Sequence, residues 1–348
     1  FGGSTPNAGY VHMLATQTMC MANTRLTPDV DLDGLAPNEA FAILGDETRL
    51  AVVRVLWEAD AAREFDDGPD RAERLSYSAL KRRVGIEDNG RFNYHLSKLT
   101  PHFVRGSEEG YRLSAAGKRI ARTVVAVSGP ESVDVATTLD EPCPLCGGSL
   151  DATYEEQWLR VRCADCDGLF GDETPTGSLF LSHYPAAGMA DRGPDGALRT
   201  ALYRCQLDLG YMMGGICREC AGSITGEVTV CGNHETGDGS CETCGTPFAV
   251  WADRWCSTCG FAKRLPAAGF VVGIPAVVGF LHEQGLDVAE LSFEDAIAVL
   301  QSGTETVTTD EPFRVHVSLE GPAAMLTVSL DDSLDVVGVE RGATTEGG

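Results

Sequence analysis

The chain has 348 residues, enough for two to four domains, and 43% of them are hydrophobic, so packed cores are available throughout. Its net charge is −24, from 51 Asp+Glu against 27 Lys+Arg, and only four of the basic residues are lysine (Lys81, Lys98, Lys118, Lys263), a surface suited to a halophilic protein in concentrated salt. The longest apolar run, residues 269–281, is thirteen residues long and contains Pro275. A membrane helix needs about 20, so neither a transmembrane span nor a membrane partner is expected.

Residues 1–33 read as a disordered leader, with Met13, Met19 or Met21 as the start. The stretch Phe1 to Cys20 lacks the basic start and continuous apolar segment of a secretory signal. Eleven of the thirteen cysteines fall in metal-ligand spacings instead of a disulfide pattern. These features predict a cytoplasmic protein with reduced thiols.

Residues 34–128 read as one domain. Between Arg71 and Arg122 there are twelve Lys/Arg against five Asp/Glu, a basic island in an acidic chain. Such an island is the footprint of a phosphate-binding face. Asn38 to Leu44 predicts a short helix. Asp46 to Ala61 predicts a longer one, with Leu50, Val53, Leu56 and Trp57 on its core side. Ala62 to Arg74 is charged and contains Gly and Pro, so it reads as a loop. A third helix spans Ser76 to Val84 and stops at Gly85.

The fourth helix covers Asp88 to Leu99 (DNGRFNYHLSKL) and is ended by Pro101. Phe92, Leu96 and Leu99 fall on one face, which turns Arg91, Asn93, Tyr94, Ser97 and Lys98 outward. Arg and Asn at the front of such a helix can bond base edges, while Lys and Ser can hold phosphates. His95, beside Leu96, reads as a packing or phosphate-adjacent residue. Phe103 to Leu113 (FVRGSEEGYRL) reads as a hairpin carrying Arg105 and Arg112, and Ala115 to Val127 as a closing helix. Helices, a recognition-type helix and a hairpin, in that order, describe a winged helix-turn-helix.

The segments AFAILGDETRLAVVRVL, GRFNYHLSKL and GYRLSAAG resemble ArsR-like winged helix-turn-helix transcriptional regulators of archaeal type. The resemblance covers about 90 residues. It implies contact with double-stranded DNA by Arg91, Asn93, Tyr94, Ser97, Lys98, Arg105 and Arg112, and a homodimer formed through the terminal helices. Metal-sensing members carry cysteines in this domain. Residues 37–128 contain none, so metal sensing by that route is not implied.

Cys143-x2-Cys146 and Cys163-x2-Cys166 have the spacing of a four-thiolate zinc ribbon, expected over residues 140–175, with Tyr154 to Arg162 as the intervening strand. Residues 176–265 predict a helix and a second cysteine-rich region. The helix carries Leu198, Leu202, Cys205, Leu209 and Met212 as an apolar stripe, with Cys205 a small core residue. Eight further ligands follow as Cys217/Cys220, Cys231/His234, Cys241/Cys244 and Cys256/Cys259. They predict two tetrahedral sites, for two to three structural Zn2+ per chain. A sequential partition (Cys217, Cys220, Cys231, His234, then Cys241, Cys244, Cys256, Cys259) closes the shorter loops and is preferred. A cross-brace would instead join Cys217/Cys220 with Cys241/Cys244, and Cys231/His234 with Cys256/Cys259.

Residues 266–341 read as a small α+β region. Phe270 to Glu283 and Ser292 to Ser302 are strand or helix segments, the second with Ser292 as N-cap. Thr304 to Thr309, Phe313 to Leu319, Ala324 to Leu330 and Leu334 to Val339 make an antiparallel meander. Residues 342–348 read as a disordered tail. The fold class is thus multi-domain α+β: an N-terminal winged helix-turn-helix, central zinc-ribbon modules and a small C-terminal α+β region. This order resembles that of haloarchaeal helix-turn-helix proteins with C-terminal zinc ribbons.

No paired carboxylates, nucleophile elbow or phosphate loop point to an enzyme. A DNA-binding transcriptional regulator is the expected function, with an unidentified small-molecule effector. The alternative is a zinc-dependent protein-interaction adaptor built on the cross-brace.

Overall fold

A computed structural model describes residues 35–60, 74–100, 102–128, 135–171, 174–190, 192–235, 240–308, 312–322 and 324–343. The expected leader, most of the 62–74 loop, Pro101 and most of the tail lie outside the described residues. The chain is mixed α+β, with several small antiparallel sheets and clustered cysteines. It divides into two compact units, one drawn chiefly from residues 35–128 and one from residues 135–343.

The first unit begins with α1 (Pro37–Leu44) and α2 (Glu47–Asp60). Asp46 caps α2 by accepting the Arg49 N–H at 3.0 Å. The helix buries Val52, Val53, Val55 and Leu56, while Leu50, expected on the core side, is 44% exposed. The reason is position: α2 is packed by α3, α4, α5 and β2, so its apolar stripe is wider than one heptad face and is displaced from Leu50.

Helix α3 (Tyr77–Val84) is capped by the Ser76 hydroxyl and ends at Gly85, whose φ of 81° is the left-handed conformation a helix stop needs. Three residues later Asp88 caps α4 (Asn89–Leu99). The Tyr77 hydroxyl donates to the Asn89 carbonyl at 3.2 Å, and its ring meets Phe92 edge-on, which fixes α3 against α4. Strands β1 (Val104–Ser107) and β2 (Gly110–Leu113) form the expected hairpin, with Leu75 bridging to Tyr111 as a third short strand. Helix α5 (Ala115–Val127) is capped by Ser114.

The second unit contains three further antiparallel sheets. The first has the order β3 (Val135–Thr138), β4 (Leu150–Glu155), β5 (Trp158–Cys163), β6 (Ser178–His183). The single strand expected over Tyr154 to Arg162 is in fact a turn and parts of two strands. Glu156 and Gln157 reverse the chain at φ 50° and 63°, a turn normally marked by Gly or Asn. After the short helix α6 (Ala186–Met189) comes the 20-residue α7 (Pro194–Met213), which buries Leu198, Leu209 and Met212 of the expected stripe and half-buries Leu202 and Cys205.

The second sheet is β7 (Ile224–Val230), β8 (Val250–Cys256) and β9 (Ala262–Pro266). The 269–281 run resolves into α8 (Ala267–Val271) and α9 (Pro275–Glu283), because Pro275 starts a new helix. Helix α10 (Phe293–Ser302) has the expected cap: Ser292 Oγ accepts from Asp295 N at 3.0 Å and donates to its carboxylate at 2.7 Å. The meander β10 (Gly303–Thr308), β11 (Arg314–Glu320), β12 (Met325–Leu330), β13 (Val336–Gly342) closes the chain, so strand continues one residue into the expected tail.

Two apolar clusters organise this unit. One joins β3–β6 to α7 and α10; the other joins α7 to the β8 sheet, α8–α10 and the meander. Leu265 and Leu300 pack against both. The stretches expected as separate 140–175, 176–265 and 266–341 regions therefore lie within one compact unit.

Candidate metal centres and candidate nucleic-acid face

Cys143, Cys217, Cys241 and Cys256 each open the same backbone device. The amide of the cysteine donates to the carbonyl five residues on, and its own carbonyl accepts from the amide four residues on. That fourth residue must then turn left-handed. Gly147, Ala221, Gly245 and Gly260 do so, at φ 75°, 61°, 70° and 74°. The resulting knuckle points further N–H groups at sulfur: Leu145 to Cys143, Glu219 to Cys217, Gly222 to Cys220, Thr243 to Cys241 and Thr258 to Cys256, all at 3.4 Å. N–H donors at sulfur favour thiolate, the form that binds metal.

Among the described residues, three groups bring four ligand atoms within 4.8 Å of one another, and each could hold a metal ion. The first is Cys143, Cys146, Cys163 and Cys166, as expected, with Cys143–Cys166 sulfurs 3.8 Å apart and Cys146–Cys163 3.5 Å apart. The second is Cys217, Cys220, Cys256 and Cys259, with sulfur separations of 3.5 and 3.4 Å. The third is Cys231, His234, Cys241 and Cys244, in which His234 Nδ1 lies 3.5 Å from Cys244 Sγ. A tetrahedron of four sulfurs about 2.3 Å from a central ion has edges of about 3.8 Å, so the donor sets fit such an ion. All twelve described cysteines are free of disulfides.

The grouping corrects both expected partitions: the second and third sites are neither sequential nor cross-braced but nested. The register of β7 with β8 decides it. Ile224 faces Cys256, which carries the 256–259 knuckle to the 217–220 knuckle. At the other end Val230 faces Val250, and Cys231 N–H donates to the Ala249 carbonyl, leaving the enclosed loop to close its own site. Six ladder steps hold the two sites apart by roughly 20 Å. Paired backbone over seven residues outweighs the logarithmic saving of a shorter loop.

Sulfurs this close cannot all ionise without a cation, and their acidities diverge accordingly. Burial pushes Cys143 and Cys166 up, Cys166 to about 12, while Cys163, against its own burial, is held below the usual range by the Asp165 N–H and its neighbours. In the second site burial raises Cys259 to about 12, whereas Cys256, also opposed by burial, is brought to about 6 by the Cys259 and Thr258 amides. Backbone N–H groups of Glu235 and Cys244 lower Cys241 to about 6 in the third. Each site thus has one sulfur made more acidic than its neighbours, and a divalent ion would balance the charge as the others ionise.

Cys205 joins none of these groups. It is half-buried, with Lys263 Nζ 3.9 Å from its sulfur, and burial raises it.

On α4, Phe92, His95, Leu96 and Leu99 are buried, and Arg91, Asn93, Tyr94, Ser97 and Lys98 are exposed. Lys98 Nζ stands 5.8 Å over the Tyr94 ring, and Ser97 Oγ donates to the Tyr94 carbonyl. His95 sits 3.2 Å from Asp46 Oδ1, outside hydrogen-bonding angles, and belongs to no metal group among the described residues. Arg105, exposed, and Arg112, half-buried, are direct cross-strand partners in the hairpin, and neither finds a carboxylate among the described residues. Among the described residues no helix is long and apolar enough to cross a membrane.

Residues 140–336 match the family model described as Domain of unknown function (DUF7351), and residues 37–124 match the one described as Domain of unknown function (DUF7347). No curated protein matches the chain significantly.

Proposed function

The chain belongs to the family described as Domain of unknown function (DUF7351), and we propose, from the geometry of its first unit, that it is a DNA-binding transcriptional regulator acting through a winged helix-turn-helix. The observation that carries this reading is the exposed polar face of α4, followed in the chain by the β1–β2 hairpin. Five side chains able to reach bases and phosphates leave the helix on the side away from Phe92, Leu96 and Leu99. Arg105 and Arg112 stand opposite each other in the hairpin, an arrangement unfavourable in isolation and relieved by a polyanion. The net negative chain has its positive charge concentrated in this unit.

Zinc is the ion proposed for the three sites, since four-thiolate and three-thiolate-one-imidazole sets are its usual structural environments. Complete sets of four ligands leave no open position for catalysis, which favours a structural role. Reduced thiols in turn favour a cytoplasmic setting. A homodimer is proposed through α5, whose Val124, Val125 and Val127 are 51%, 51% and 45% exposed. The adaptor alternative loses its premise, because the eight later ligands do not form a cross-brace.

The test is selection of bound sequences from a random DNA pool in molar KCl, followed by titration of the enriched duplex with wild type and Arg91→Ala. We expect a consensus sequence and a loss of about 1–3 kcal/mol in the variant. Failure to enrich any sequence, or equal binding by the variant, refutes the reading.

A further inference from the structure

At the seam between the two apolar clusters of the second unit lies a cavity of about 130 Å³. Helix α7 lines it with Leu202, Cys205 and Leu209, and α10 with Ile297 and Leu300; Phe170 also contributes. Part of the α7 stripe thus borders this space, although Leu209 also packs into one cluster and Leu202 against the other. A void of this size forfeits packing contacts that a core otherwise makes, and a molecule that fills it would restore them.

We propose that this cavity binds a small, uncharged, apolar molecule the size of a single aromatic ring. The volume sets the size: a cavity of about 150 Å³ lined by Leu, Ile and Phe stays dry and takes benzene. The wall sets the polarity. Gln206 and Arg199 belong to the lining, but the Gln206 amide already donates to the Val272 carbonyl at 3.3 Å and Arg199 is solvent-exposed. None of the buried side-chain polar atoms left without a partner among the described residues belongs to the wall. Away from the exposed Arg199, a charged head inside the cavity would lose its water and find no replacement.

Access is built in as well. Tyr203, Gln206 and Val288 line both the cavity and an open apolar groove along α7 that contains Leu207 and Tyr211. Tyr203 is 37% exposed at the junction. The groove is thus the proposed entrance. Binding at the seam stands independently of whether the first unit binds DNA.

The experiment uses the full-length, metal-loaded chain and fluorobenzene as probe, followed by 19F line shift and by thermal melting. Fluorobenzene in excess is expected to give a saturable, slow- or intermediate-exchange 19F shift and to raise Tm by about 2–4 °C. Fluorobenzoate, of similar shape but charged, is expected to do neither. Ala296→Leu, which projects into the cavity, should abolish the shift, and Leu202→Phe is the second filling variant if the first does not fold. No saturable fluorobenzene signal in wild type overturns the proposal. So does equal binding of fluorobenzoate, or undiminished binding in a folded filling variant.

Discussion

The carboxylate of Asp46 lies 3.2 Å from His95 Nδ1 while capping α2 through the Arg49 amide, so one side chain couples the start of α2 to the buried side of α4. Burial works against its ionisation, but the Arg49 N–H and the charges of His95 and Arg49 prevail and hold Asp46 below 3.8. A carboxyl depressed on folding contributes stability above its unfolded value and loses that contribution as pH falls through the folded value. Asp46→Ala should therefore cost about 1 kcal/mol at neutral pH and progressively less under acid. Hydrogen exchange of the first α2 turn reads the cost. A carboxyl 13C titration of Asp46 with a midpoint at or above 3.8 would contradict the assignment.

Nested metal sites make a stoichiometric prediction that separates all three partitions. Cys220→Ser with Cys256→Ser damages one site, and the chain should hold two ions per molecule. Cys220→Ser with Cys241→Ser damages two, and should leave one. A sequential arrangement would lose two ions in both cases. A cross-brace would lose two in the first and one in the second. Elemental analysis after exhaustive dialysis distinguishes these results.

How Arg105 and Arg112 act can be read from salt. If the hairpin grips phosphate, Arg105→Ala weakens binding similarly on all sequences and reduces the slope of log K against log salt by about 1. Arg91→Ala, by contrast, should relax discrimination at one base position. Identical slopes for wild type and Arg105→Ala would remove the hairpin from the interface.

Arg254 is 1% exposed on β8 and reaches the Leu334 carbonyl at 2.8 Å and Asp335 at 3.0 Å. It ties the β7–β9 sheet to the β12–β13 turn. Replacing it by Met keeps much of the volume but strands the carbonyl, at an expected cost of about 2–3 kcal/mol in urea unfolding. Since Asp335 is 65% exposed, Asp335→Asn should cost well under 1 kcal/mol. Equal costs would mean that the ion pair, not the carbonyl contact, carries the tie.

What the sequence made legible was local. The cap at Ser292 lies beside the amide it satisfies, Ser76 and Asp88 stand at the expected starts of the third and fourth helices, and each cysteine knuckle lies within six residues. The apolar face of α4 follows from spacing alone. What it hid was register. Nothing near Cys217 signals that Ile224 will face Cys256, since that choice is made by fourteen residues of paired strand together. The β4–β5 turn was obscured because Glu156 and Gln157 adopt left-handed torsions without a glycine to mark them. Leu50 was misplaced because periodicity cannot tell how many neighbours a helix will have.

Nesting also orders assembly. Six residues separate His234 from Cys241, whereas thirty-five separate Cys220 from Cys256, and the shorter span lies wholly inside the longer. Closing the inner ring first costs little chain entropy and shortens the free length that the outer ring must gather. A nascent chain short of zinc would thus fill the inner site before the outer one, leaving the 217–220 and 256–259 knuckles as the last parts of the sheet to be fastened.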